Sequence, residues 1–255
     1  MDEVKSDNSH NGQDMPSSKA KQGLHGPSIG VGAGIAIVSI LATFFVISVI
    51  DDSPELEFEE KSPTQGAEEE VALSLFTANA SPFLGDENAP ITLVEFGDYQ
   101  CFFCNKFFHE TEGAILKNYV ETGKVKIIFK DFTIIGPDSI AAAHATHCAN
   151  DQGKFWEYHD ALYNNWAGEN NGWASLGNLT KFANDVQLDQ ETFTKCMNDG
   201  KYQQRVAANN NDARTLGLTG TPGFFVIGPD NQITKIGGAQ PYDVFVRLFE
   251  SELQK

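Results

Sequence analysis

The chain has few basic residues for its length. Lysine and arginine number 18 against 35 aspartates and glutamates, so the 255 residues carry a formal net charge of −17 at pH 7. A protein that binds nucleic acid usually presents a basic face to the phosphates. The composition therefore argues against nucleic acid as a partner.

Cysteine is also scarce, with four residues in the chain, and only Cys101 and Cys104 form a C-x-x-C pair. A zinc knuckle begins with such a pair but needs two further ligands close by. His144, His147 and Cys148 could supply them only if the fold brought them together. We therefore expect no metal site and interpret the pair as redox-active, with zinc binding or a pair of core cysteines as the alternatives.

The position of the pair supports redox chemistry. Ile91–Phe96 is rich in β-branched and aromatic residues and predicts a strand, which Gly97 and Asp98 end. Apolar residues then recur at helical spacing, which makes Cys101 the first residue of a helix. A thiol there faces unpaired backbone N–H groups and the positive end of the helix dipole, and both favour the thiolate. Cys104, one turn later, can close a disulfide with it.

Before the folded part, the composition of the chain changes three times. Residues 1–27 are polar and predict a disordered tail. Ser28–Ile50 contains no charged residue in 23 positions and is long enough to span a hydrocarbon core of about 30 Å, so it predicts a transmembrane helix. Residues 51–70 carry nine acidic side chains and one lysine, which predicts an extended acidic linker.

The charges beside the predicted span give its orientation. Lys19 and Lys21 precede it closely, whereas Lys61 is the one lysine in residues 51–70. Lysine and arginine are enriched on the cytoplasmic side of membrane proteins. We therefore expect a single-pass protein of the cell membrane, with a cytoplasmic N-terminus and an extracytoplasmic domain over residues 71–255. Its four cysteines suit an oxidising compartment.

The pattern of the remaining residues predicts one α/β domain. Strands at Ile91–Phe96 and Val125–Phe132 flank a helix at Phe103–Thr122 that can kink at Gly113, so the two strands should be parallel. A helical block follows over about 138–200. The elements predicted from there on are helices at Asp138–Asn150, Lys154–Asn164, Leu176–Val186, Gln190–Asn198 and Gln203–Leu216, strands ending at Ile227 and Ile236, and a last helix at Tyr242–Leu253.

Four stretches in this order resemble the DsbA family of disulfide-forming proteins. They are Ala89–Phe96, the C-x-x-C pair, Gln152–Asp160 in the helical block, and Gly220–Pro222. The resemblance covers roughly Ser81–Glu252. It implies an α/β thioredoxin-like fold with an inserted α-helical subdomain, here preceded by the single transmembrane helix.

The resemblance also implies roles for individual residues. Pro222 would be cis and lie against the active-site cysteines, and the backbone of Thr221 would bind an extended substrate segment. Glu95 would be a buried acid beneath Cys104, where burial raises a carboxyl pKa and suits it to proton transfer. Lys130, at the end of the second strand, is either its charge partner or a surface lysine.

Phe102 and Phe103 depart from the Pro-His pair of the strongly oxidising members of that family. A histidine there helps to stabilise the thiolate, whereas two phenylalanines add apolar surface for substrate and no charge. We therefore expect a less extreme Cys101 thiol, and a weaker oxidant, than in the most oxidising relatives.

Cys148 and Cys196 fall in separate predicted helices. Leftover thiols in an outward-facing domain usually pair, so we expect a structural disulfide. The alternative is that Cys148, near His144 and His147, is reactive or binds a metal ion.

The predicted function is a membrane-anchored, extracytoplasmic thiol–disulfide oxidoreductase that introduces disulfides into substrate proteins. Cys101 exchanges with the substrate and Cys104 resolves the mixed disulfide. No cofactor is expected, since the cysteines carry the electrons. The partners are unfolded or partly folded proteins with free thiols and, by resemblance, a quinone-linked redox protein of the membrane.

Two alternatives stay open. One is a disulfide reductase or isomerase kept reduced by a membrane electron donor. The other is a tethered peptide-binding or chaperone module whose C-x-x-C pair is only structural.

Overall fold

The computed structural model describes residues 73–255. The predicted tail, transmembrane helix and acidic linker, residues 1–27, 28–50 and 51–70, lie outside the described residues. Within residues 73–255, no helix is both long enough and apolar enough to span a membrane.

A four-stranded sheet forms the centre of the domain. Its strands are β1 (Ile91–Gly97), β2 (Val125–Asp131), β3 (Gly223–Ile227) and β4 (Ile233–Gly237), in the order β2-β1-β3-β4. β1 runs parallel to β2 and antiparallel to β3, and β4 is antiparallel to β3. The predicted parallel pair is therefore confirmed, and it follows from the helical crossover between the two strands.

That crossover, here called α1, changes its winding along its length. It is α-helical over Phe102–Phe107 and Gly113–Ile115, and π-helical over Phe108–Glu112 and Leu116–Val120. The sequence predicted one α-helix with a kink at Gly113, and the two π segments on either side of that glycine were not foreseen. π-helical turns are rare and frequently lie at functional sites.

Six helices follow α1 along the chain, and their bounds agree with the predicted ones to within one residue. The helical insertion holds α2 to α5, and Asp189 caps the N-terminus of α5 by accepting a hydrogen bond from the Thr192 backbone N–H at 2.8 Å. The helices are α2 (Pro137–Asn150), α3 (Phe155–Asn164), α4 (Leu176–Asp185), α5 (Gln190–Asp199), α6 (Gln203–Thr215) and α7 (Tyr242–Glu252).

The two faces of the sheet pack against different helices. On one face, Phe107 of α1 and Phe245 of α7 enclose Phe224, with ring centroids 4.5 and 5.2 Å from it. On the other face, Phe96 and Phe225 lie 5.9 Å apart and pack together with α6. Fully burying one such side chain contributes about 1.5–3 kcal/mol.

The helical insertion has its own core, built around buried aromatic residues such as Tyr158 and Phe193. Cys101 and Cys104 belong to this same cluster. The C-x-x-C pair therefore lies where the insertion meets the sheet.

Candidate active site

The turn between β1 and α1 is held by one buried carboxylate. Asp98 is fully buried and accepts backbone hydrogen bonds from Gln100, Ile134 and Ile135 at 2.8–2.9 Å. The backbone N–H of Cys101 bonds the Asp98 carbonyl oxygen at 2.9 Å. Asp98 thus fixes both the entry to the first cysteine and the loop after β2, a role beyond the strand break that the sequence indicated.

Cys101 is the N-cap residue of α1, with φ −67° and ψ 125°, and the helix proper begins at Phe102. The prediction that Cys101 is the first helical residue was therefore wrong by one position. Cys101 and Cys104 are both buried and carry free thiols. In its thiol form, Cys101 Sγ donates to the carbonyl oxygen of Thr221 at 3.3 Å, and the Thr221–Pro222 peptide bond is cis. The structure brings these four residues together.

The two thiols have very different acidities. A hydrogen bond from the Cys104 side chain, helped by the Thr221 side chain and the backbone N–H groups of Phe103 and Cys104, lowers the pKa of Cys101 to about 6 against the opposing effect of burial. Burial, followed by the hydrogen bond to Cys101, raises the pKa of Cys104 well above its usual range. At neutral pH, Cys101 is a thiolate nucleophile and Cys104 a thiol.

Glu95 lies in β1 beneath this pair, with 3% of its surface exposed. Burial raises its pKa well above the usual value, and the charges of Glu112 and Cys101 raise it further. The charge of Glu95 in turn raises the pKa of Cys104, so the acid and the second thiol are electrostatic neighbours. A carboxyl group in this state can exchange a proton with Cys104.

Both interpretations of Lys130 were wrong. Lys130 pairs with Phe96 in the strand register, whereas Glu95 pairs with Phe129, so Lys130 and Glu95 enter opposite faces of the sheet. Lys130 is fully buried, and its Nζ donates to Asp212 at 2.7 Å. It is neither the charge partner of Glu95 nor a surface residue.

An apolar surface surrounds the first cysteine. Phe102 and Phe103 are 50% and 55% exposed, and their rings touch edge to face at 5.3 Å. The Trp166 ring lies 5.9 Å from Phe102. Thr221, whose carbonyl oxygen contacts Cys101 Sγ, also lines a cavity of ≈220 Å³ together with Pro222. Side chains of an extended peptide could rest on this surface.

Glu169, from the loop between α3 and α4, reaches the start of α1. Its carboxylate accepts a hydrogen bond from the Phe102 backbone N–H at 3.0 Å. This donor belongs to the helix N-terminus that favours the Cys101 thiolate. No local sequence pattern predicts this contact, because it joins residues 67 positions apart.

The remaining cysteines form a disulfide across the insertion. Cys148 of α2 and Cys196 of α5 are bonded, with their Cα atoms 5.8 Å apart. His144 lies beside the two sulfurs, and this is the one group with metal-ligand spacing in residues 73–255. His147 instead bonds Asp131 at 2.7 Å. The structure therefore does not join the C-x-x-C pair to these residues in a zinc site.

Comparisons with known proteins agree with this geometry. A sequence model of the thioredoxin family matches residues 77–243. The chain belongs to the thioredoxin family. It is 26% identical over 205 residues to the probable disulfide bond formation protein D of Bacillus anthracis, covering 79% of this chain and 87% of the relative. It is 27% identical over 176 residues to disulfide bond formation protein D of Bacillus subtilis, covering 68% and 77%.

Solved structures place the chain more narrowly within the family. Oxidised BdbD from Bacillus subtilis matches with a TM-score of 0.62 at 26% identity, covering 68% of this chain and 93% of that one. α-DsbA1 of Wolbachia pipientis matches with a TM-score of 0.59 at 27% identity, covering 67% and 89%. This chain is a DsbA-like member, and it is a protein thiol–disulfide oxidoreductase.

Proposed function

We propose that this oxidoreductase works in the oxidising direction and introduces disulfides into substrate proteins. The observation that carries the proposal is the lowering of the Cys101 pKa to about 6. A stabilised thiolate stabilises the reduced enzyme, which makes its disulfide a stronger oxidant. A pKa of about 6 lies between about 7 for thioredoxin and about 3.5 for DsbA, so moderate oxidising strength is expected.

The reaction begins with the enzyme disulfide. A substrate thiolate attacks Cys101 Sγ, the bond between Cys101 and Cys104 breaks, and Cys104 leaves and takes a proton, which Glu95 can supply. A second substrate thiolate then attacks the substrate sulfur of the mixed disulfide and expels Cys101 as a thiolate. The substrate loses two electrons and the enzyme gains them.

The substrate surface follows from the groups around the cysteines. Thr221 and cis-Pro222 present backbone to an extended segment, and Phe102 and Phe103 offer apolar contact without reading a sequence. Unfolded or partly folded proteins with free thiols match this chemistry. By family resemblance, reoxidation comes from a quinone-linked protein of the membrane.

The proposal also places the enzyme on the membrane. The uncharged segment 28–50 would anchor it, and the lysines before the segment favour an extracytoplasmic catalytic domain. Removal of residues 28–50 from the chain should release it from membranes, and extracellular protease should cleave the intact form on whole cells. A full chain that washes off membranes in alkaline buffer would remove the anchor from the proposal.

A redox titration of the full chain in detergent tests the direction of exchange. Thiols are trapped by alkylation in glutathione or dithiothreitol buffers, and the state of Cys101 and Cys104 is read by mass. We expect a midpoint between about −120 mV for DsbA and about −270 mV for thioredoxin, nearer the former. A midpoint at the thioredoxin end would favour the reductase alternative.

A Cys101→Ser variant is the matched control for that titration, because it leaves the Cys148–Cys196 disulfide in place. We expect it to lose all oxidation of a dithiol peptide. If the wild-type chain itself shows no exchange but binds the peptide, the alternative of a binding module would replace the proposed function.

A further inference from the structure

One face of α1 runs from the second cysteine to an acid that the mechanism above does not use. Cys104, Phe108 and Glu112 are spaced four residues apart, so they succeed one another along the same side of the helix. Phe108 stacks on Tyr163 of α3 at 5.1 Å, and Asn105 Nδ2 donates to the Tyr163 carbonyl oxygen at 2.9 Å. This side of α1 therefore packs against α3.

Glu112 ends the first π-helical segment and is as buried as Glu95, at 4% exposure. Within the described residues, Glu95 Oε1, Glu112 Oε2 and the Tyr163 hydroxyl are buried and have no hydrogen-bond partner. Burying a polar group without a partner is costly, and natural proteins seldom retain such groups without a use for them. Glu95 and Tyr163 interact electrostatically with Cys104, and Glu112 interacts with Glu95.

The charge of one acid raises the pKa of the next: Glu112 acts on Glu95, and Asp160 acts on Glu112. The Glu112 charge helps to raise the pKa of Glu95, after burial. Burial, and then the Asp160 charge, raises the pKa of Glu112 to about 8. Asp160 of α3 is exposed at the surface, and partial burial together with Glu157 raises its pKa to about 6. Asp160 lies one turn before Tyr163 on α3, so a surface acid stands on the helix that packs over this side of α1.

Among residues 73–255, no basic side chain acts on the pKa of Glu95, Glu112 or Asp160. Lys130 lies on the other face of the sheet and is held by Asp212. Burial lowers the pKa of His159 to about 3, so its ring is neutral at physiological pH. The charge of Cys101 acts on Glu95 and that of Glu157 on Asp160, while those of Asp131 and Asp98 act on the neighbouring rings of Tyr99 and Tyr163.

We propose that Glu112 and Asp160 extend Glu95 into a path that carries the Cys104 proton between the active site and solvent. The inference rests on the proposed function, because the path serves thiol–disulfide exchange at Cys104. Glu95 is the group beside the reacting sulfur, and Glu112 and Asp160 are positioning residues that act through it.

The proton path matters most when the enzyme is reoxidised. Cys101 first forms a mixed disulfide with the oxidant. Cys104 then gives its proton to Glu95, attacks Cys101 Sγ as a thiolate, and expels the oxidant's second sulfur as a thiolate. The proton moves on through Glu112 and Asp160 to water, while the two electrons leave with the oxidant's thiols. Glu95 and Glu112 thereby return to their starting states.

The test separates the two chemical steps with the full chain in detergent and oxidised glutathione. Formation of the mixed disulfide at Cys101 depends on glutathione concentration, whereas its resolution by Cys104 does not, and rapid acid quench with mass detection resolves both. We expect Glu112→Gln to slow resolution by about ten-fold at pH 7, a smaller loss than removal of a direct general base. The first step should keep its wild-type rate.

Three comparisons make the result decisive. Glu110→Gln, an exposed acid on the same helix, is the matched control and should leave both rates unchanged. Asp160→Asn, a surface change that spares the core, should slow resolution in the same sense as Glu112→Gln. The double variant Glu95→Gln with Glu112→Gln should be no slower than Glu95→Gln alone, because residues in one path act in series.

The proposal is overturned if Glu112→Gln matches Glu110→Gln in the resolving step, or if the Glu95 and Glu112 effects multiply. Both outcomes leave the proposed function standing. A wild-type chain that forms no mixed disulfide with oxidised glutathione would instead refute the proposed function itself.

Discussion

Glu95 and Lys130 lie on neighbouring strands of one sheet, and each is a buried ionisable side chain, but their surroundings are opposite. Lys130 Nζ has three partners, namely the Asp212 carboxylate and the carbonyl oxygens of Leu75 and Ala78, all at 2.7–2.8 Å. Glu95 keeps one buried oxygen without any partner among the described residues. On one face of the sheet the buried charge is fully hydrogen-bonded. On the other face a buried acid can gain or lose a proton.

The difference shows two uses of a buried charge: Lys130 contributes to stability, and Glu95 contributes to the chemistry of the site. A fully bonded buried lysine costs a great deal to disturb, since removal of either partner leaves the other charge exposed to a low-dielectric interior. An unpaired buried acid destabilises the fold when it ionises, yet this is what gives it a pKa suited to proton transfer. The sheet keeps the two apart by strand alternation alone.

The largest expected effect on stability comes from removing the hydrogen-bonded charge of Lys130. Lys130→Met removes the charge that Asp212 and two carbonyl oxygens hold, and it should lower the free energy of unfolding by about 3–5 kcal/mol. The control is Lys195→Met, which removes an exposed pair with Asp199 and should cost less than about 1 kcal/mol. Chemical denaturation of both variants measures the contrast, and equal losses would contradict it.

Glu95→Gln, on the other face of the sheet, should slow the chemistry and raise the stability. Its neutral amide cannot take the Cys104 proton, so resolution of the mixed disulfide should slow by about 100-fold, the lower end for a lost general acid–base. Stability near neutral pH should rise, because no buried carboxyl has to stay protonated. Stopped-flow kinetics measures the slower resolution, and chemical denaturation measures the higher stability. An unchanged pH dependence of thiol oxidation would remove the role of Glu95.

The pH dependence of stability should distinguish the face of Glu112 from that of Lys130, and its measurement needs no reaction at the cysteines. The pKa of Glu112 is raised from an ordinary 4.5 to about 8, first by burial and then by Asp160. A raised carboxyl pKa gives stability that is complete below about 4.5 and is lost as the pH rises to about 8. Glu112→Gln should flatten this fall, whereas Lys130→Met should retain it. Unfolding free energies at several pH values from 5 to about 8 test the contrast.

The sequence was sufficient for the groups that lie within local patterns. The C-x-x-C pair, the strand before it and the Thr-Pro turn each carry a short signature, and family resemblance added the expectation of a buried acid at Glu95. The pairing of Cys148 with Cys196 in the structure also agrees with what the leftover thiols favoured.

The groups that the sequence missed depend on contacts between distant segments. Asp98 reaches a loop 36 residues away, and Lys130 reaches Asp212 across 82 residues. The face of Lys130 depends on the register between β1 and β2, which no pattern within either strand fixes. Glu112 was missed because its burial depends on α3, which packs over that side of α1 from a distant part of the chain.

Glu169 gives the smallest effect and extends the comparison from buried acids to an acid at the surface. Its carboxylate occupies the Phe102 N–H at the helix N-terminus and places a negative charge near Cys101. Glu169→Gln should lower the Cys101 pKa by about half a unit, roughly 0.7 kcal/mol, since solvent screens exposed charges. The ultraviolet absorbance of the thiolate, followed against pH, measures the shift. Because Glu95 is buried and Glu169 is exposed to solvent, a shift larger than about one unit in this variant would mean that solvent screening does not distinguish the two acids.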